Sequence, residues 1–86
     1  MISDENILAF LRTDKGMKKA ANAIYSTTHR DFRGRFEDKT RNVLQQEPGL
    51  GTCLVPLDGV KEERMVVLLK TRRSALKKLG LVDNGG

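Results

Sequence analysis

Apolar positions along the chain recur at helical spacing in the first half. Ile7, Leu8 and Leu11 form one stripe behind Ser3 or Asp4, either of which can cap a helix by accepting from free amides of the first turn. Asp14-Lys15-Gly16 reads as a break. Met17, Ala20, Ala21 and Ile24 then follow at i, i+3, i+4, i+7, the cleanest helical signal in the chain. Ser26-Thr27-Thr28 interrupts that stripe, and Thr28 with Asp31 resembles a capping box with Asp in place of Glu, which predicts a third helix start. Phe32, Phe36, Thr40, Val43 and Leu44 share one face of this third helix. It is expected to end near Gln46, because Pro48-Gly49 cannot continue it. Gly34 weakens its first turns by about 1 kcal/mol relative to alanine, so a start at Arg35 is the alternative.

Past Gly51 the period changes. Thr52 to Val55 predicts a short strand closed by Pro56, Asp58-Gly59 a turn, and Lys61-Glu62-Glu63-Arg64 a charged loop. Met65 to Leu69 is an unbroken apolar run that suits a buried strand. Thr71 or Ser74 then caps a last short helix through Leu76 and Leu79, stopped by Gly80. The expected architecture is α+β: three helices, a two-stranded hairpin and a short C-terminal helix. The rival is an all-α, four-helix chain in which Asp58 to Gly80 is one long helix, with Glu62 and Glu63 at its positive end and Lys/Arg at its negative end. The strand is preferred because residues 65–69 on a helix would be apolar all round.

The 86 residues are expected to form one domain over 1–82, followed by a flexible tail, Asp83-Asn84-Gly85-Gly86. Hydrophobic content of 38% supports a small core, and the 31% of charged residues are mixed in sign. Cys53 is the single cysteine and His29 the single histidine, which excludes an internal disulfide and a zinc ligand set, and implies a reducing, intracellular setting, cytoplasmic or nuclear. No apolar run approaches the ~20 residues of a membrane helix, so a soluble protein without membrane contact is expected. No phosphate-cradling loop or acidic pair is visible, and no cofactor or enzymatic activity is expected.

The net charge of +5 is unevenly placed. Residues 12–41 hold nine Lys/Arg against four Asp/Glu, and Lys70 to Lys78 hold five bases and no acid. Two basic blocks attract polyanions. His29-Arg30-Asp31-Phe32-Arg33-Gly34-Arg35-Phe36 adds arginine forks suited to phosphates and base edges, with phenylalanines expected in the core.

From Gln46 to Leu79 the pattern resembles the wing region of winged helix-turn-helix domains of the MarR type. The pieces are Glu47-Pro48-Gly49-Leu50, Leu54-Val55, Lys61 to Arg64, Met65 to Leu69, and Thr71 onward. Tyr25 stands where the tight turn of that family usually has glycine, and full-length dimerisation helices are missing, so a monomer or weak homodimer is expected. The resemblance implies that the third helix enters the major groove with His29, Arg30, Arg33 and Arg35 nearest the base edges. Lys15, Lys18 and Lys19 would hold phosphates, and Lys61 or Arg64 on the wing would reach backbone or minor groove. The expected function is non-enzymatic nucleic-acid binding, most of all to duplex DNA, in regulation or genome handling. The alternatives are a protein–protein interaction module with an acidic partner, or a small basic RNA-associated protein.

Overall fold

The computed structural model describes residues 2–32, 42–47, 49 and 51–82. The protein is α+β: helices α1 (Asp4–Leu11) and α2 (Gly16–Phe32), strands β1 (Asn42–Glu47) and β2 (Gly51–Pro56), then helices α3 (Glu62–Thr71) and α4 (Arg73–Lys78).

Ser3 caps α1 as its type predicts, its hydroxyl accepting from the Asn6 amide at 3.3 Å, with Asp4 and Glu5 at the positive helix end. The break also falls where expected. Lys15 turns the chain with a left-handed φ of 62°. Gly16 is buried, and a β-carbon there would overlap the Phe10 carbonyl oxygen and lie 2.8 Å from Thr13 Oγ1. Only glycine lets α1 and α2 turn this closely.

The Ser/Thr run does not end α2. Ser26 and Thr27 donate their hydroxyls to the Ala23 carbonyl at 3.3 and 2.8 Å, and Thr27 also reaches the Ile24 carbonyl at 3.1 Å. Side chains that fold back on the preceding turn are compatible with a continuing helix. The capping box expected at Thr28 is therefore absent, and residues 28–32 complete α2 rather than start a third helix.

The segment expected to finish that third helix is strand β1. It pairs antiparallel with β2 in the register Val43↔Val55, Leu44↔Leu54, Gln45↔Cys53. Val43 and Val55 are buried on the inner face while Leu54 is exposed, so the side-chain period over these residues is two. The reversal does come at Gly49, whose φ is 80°. The strand read over Thr52–Val55 is β2.

The second expected strand, residues 65–69, is the middle of α3. Met65, Val66, Leu68 and Leu69 are buried and Val67 alone is exposed. An almost wholly apolar turn is stable here because α1, α2 and α4 all pack against α3. The long-helix rival lies closer, but Arg72 (φ −125°, ψ 79°) splits it in two, and Lys61 rather than Asp58 sits at its start. Neither Thr71 nor Ser74 caps α4. Gly80 ends it as expected: the Leu81 amide donates to Leu76 O at 2.9 Å and the Gly80 amide to Lys77 O at 3.0 Å, a Schellman closure. All six elements contribute to one apolar core, with Ile7, Ile24, Met65, Leu69 and Val43 fully enclosed. The side chain of Phe32, and Arg33, Arg35 and Phe36 entirely, lie outside the described residues, as does the tail from Asp83.

Candidate functional site

Helix α2 buries Ala20, Ala23, Ile24, Thr27 and Thr28. A 3.6-residue period then sends Lys18, Lys19, Asn22, Ser26, His29 and Arg30 to the opposite side, with Lys15 just before it. Lys15, Lys18, Lys19, Asn22 and Arg30 are exposed, and Ser26 and His29 half-exposed. From Lys15 to Arg30 the chain has no Asp or Glu. At 1.5 Å per residue the cationic face extends about 22 Å.

The placement of its lysines runs against the helix dipole. Helices α1 and α3 both carry two acids in the first turn, Asp4 with Glu5 and Glu62 with Glu63. The first turn of α2 has none, and Lys15, Lys18 and Lys19 crowd its positive end. Cations there are unfavourable by roughly 0.3–1 kcal/mol apiece. At the other end His29 and Arg30 follow the dipole, and His29 stacks against Tyr25 with ring centroids 5.6 Å apart.

Helix α4 extends this face. Lys78 donates from Nζ to Ser26 Oγ at 2.8 Å, and a shallow groove runs between Phe10, Lys19, Asn22, Ser26, Lys78 and Leu79. Arg73 and Lys77 are exposed on the same short helix. The other two bases of the C-terminal block serve the fold. Lys70 pairs with Asp4 at 3.0 Å. Arg72 donates from Nη2 to the Thr27 carbonyl at 2.8 Å and from Nε to Thr27 Oγ1 at 3.3 Å, tying the α3–α4 junction to α2.

Of the residues read from the sequence as a site, Lys18, Lys19, His29 and Arg30 lie on one helix rather than on two, with Lys15 just before it. Lys61 is exposed and Arg64 half-buried, both at the start of α3 and not on a wing strand. Arg33 and Arg35 fall outside the described residues. Sequence reasoning left Asn22, Ser26 and Lys78 out of the site. Ser26 is detectable only once the Ser/Thr run is taken as helix, and Lys78, legible as part of the basic block 70–78, is joined to this face only by the tertiary contact.

No protein-family model, curated protein or solved structure matches this chain. The functional reading therefore rests on its own residues. Among the described residues no three His, Cys, Asp or Glu side chains gather into a metal site, and no helix is long and apolar enough to cross a membrane. Cys53 is a half-buried thiol on β2.

Proposed function

We propose that this protein is a non-enzymatic nucleic-acid-binding domain that lays the outer face of α2, flanked by α4, along the phosphate backbone of duplex DNA. The observation that carries this reading is the cluster of Lys15, Lys18 and Lys19 at the positive end of α2, whose first turn holds no acid although Asp14 precedes it, against the dipole preference that α1 and α3 obey. Electrostatic cost within the folded chain is offset when an anion arrives, because the lysines and the positive helix end both attract it. One strand carries a phosphate for about every 3.4 Å of duplex axis, so a face some 22 Å long spans several of them.

In this reading Lys15, Lys18, Lys19 and Arg30 hold phosphates together with Arg73, Lys77 and Lys78. Asn22 and His29 lie on the same face beside them. The winged-helix resemblance is carried in altered form: the reading helix is α2 itself, and the hairpin available as a wing is β1–β2 rather than residues 52–69. A role in regulation or genome handling, within the cell, follows from the same reading.

Fluorescence anisotropy with duplex DNA, single-stranded DNA and structured RNA across a salt series tests it. The expected slope of log affinity against log salt for duplex is about −0.9 per phosphate contacted. Replacing Lys15 by Gly, Lys19 by Gln and Arg30 by Gln together reduces that slope by close to three units. Arg12→Gln, which removes a cation already paired with Glu62, leaves it unchanged. A folded sample that binds none of the three polymers at low salt overturns the proposal and leaves an acidic protein partner as the better occupant of this face.

A further inference from the structure

Strand β2 is an edge. It pairs with β1 on one side, α2 packs chiefly on β1, and among the described residues no backbone hydrogen bond reaches the other side of β2. Pro56 orients that open side. Proline occurs in strands where its missing N–H faces away from the neighbour. Alternate residues turn their amides and carbonyls the same way, so Thr52 and Leu54 present theirs to the open edge while Cys53 and Val55 bond to β1. The Leu54 side chain stands on the outer face of the hairpin, opposite Leu44, and is 55% exposed.

Edges are ordinarily blunted by charge, because open amides and carbonyls pair with any strand that arrives. This one has only Pro56, at its end. Glu47 is the single charged residue between Asn42 and Leu57, in a chain that is 31% charged and carries +5 overall. An acidic partner would be drawn to the cationic helices instead. A neutral edge suits a different occupant, since it is where two copies of one like-charged chain can meet without repulsion. In a symmetric pairing the residue on the two-fold axis faces itself. A charge there would oppose its own kind, and the middle of this edge is the apolar Leu54.

We infer that two copies of the chain associate through β2, antiparallel, with the two-fold axis at Leu54. The product is one continuous sheet in the order β1–β2–β2–β1, with the helices of both copies on one face. Leu54 exchanges both backbone hydrogen bonds with Leu54 of the second copy, at a Cα separation near 5.5 Å. Thr52 lies opposite Pro56 of the second copy, which accepts but cannot donate. Two short strands make a contact below the ~1,200 Å² of stable interfaces, so the dimer is weak, with a dissociation constant of roughly 10 μM to 1 mM. None of this rests on the DNA reading.

The test is concentration dependence in the full chain, by sedimentation for mass and amide hydrogen exchange for the edge. Mass is expected to rise toward that of a dimer between about 10 μM and 1 mM. The Leu54 amide gains protection over the same range, while the Cys53 amide, bonded to β1, is protected throughout. Added salt strengthens association by screening the two cationic chains, the opposite of its effect on DNA binding. Leu54→Lys sets like charges face to face on the axis and weakens the dimer by about tenfold or more, with the circular dichroism of the parent. Cys53→Ala combined with Leu54→Cys forms a symmetric interchain disulfide on mild oxidation. The native Cys53, one residue off the axis, lies too far from its copy to do so. A monomer at millimolar concentration overturns the inference. A Leu54 amide already protected at about 10 μM overturns it too, because the edge is then covered within one chain. So does a dimer indifferent to Leu54→Lys, which joins elsewhere.

Discussion

Arg72→Met tests one of the contacts that join the C-terminal helices to α2. The substitution keeps the aliphatic stem and deletes two donors, Nη2 to the Thr27 carbonyl at 2.8 Å and Nε to Thr27 Oγ1 at 3.3 Å. Hydrogen bonds from a charged donor contribute about 1.5–3 kcal/mol each where they are shielded. Here Arg72 is half-buried and both bonds end on one residue, so the two do not add, and about 2–3 kcal/mol is expected for the pair. A domain of this size has roughly 4–13 kcal/mol to lose, which makes the change large. Urea unfolding followed by circular dichroism reads it directly, and the thermal midpoint should fall by about 10–20 °C. Arg72→Lys supplies one ammonium where a planar fork served two acceptors, and should recover no more than half. The reasoning is refuted if Arg72→Met shifts stability by less than about 0.5 kcal/mol at unchanged denaturant slope, or if Lys restores it in full.

Gly16→Ala should destabilise by about 2–3 kcal/mol despite the better helix propensity of alanine, because the new β-carbon meets the Phe10 carbonyl and Thr13 Oγ1; an unchanged urea midpoint would mean that the α1–α2 turn relaxes freely. The Arg12–Glu62 pair, 3.0 Å long with side chains 65% and 40% exposed, should show a coupling below about 0.5 kcal/mol in a double-mutant cycle, declining with salt.

What the sequence by itself determined is local. The Ser3 cap, the reversal at 14–16, the apolar stripe from Met17 to Ile24, the β2 strand and the Gly80 stop each depend on a few neighbouring residues whose chemistry admits one backbone solution. The cations of the candidate face were legible for the same reason, since charge can be read without knowing the fold.

Tertiary structure decided the segments where the local pattern admits two periods. Residues 43–45 read equally as the end of a helix or as alternating strand, and pairing with β2 selects the strand. Residues 65–69 read as a strand because burial on nearly every side seemed beyond a small domain. The packing of α1, α2 and α4 around α3 supplies that burial. The Ser26–Thr28 run looked like a cap because a hydroxyl competes equally for amides ahead and carbonyls behind, and only the surrounding core determines which it takes. Where a side chain finds its partner about fifty residues away, as Arg72 does at Thr27 and Lys78 at Ser26, no pattern along the chain can announce it.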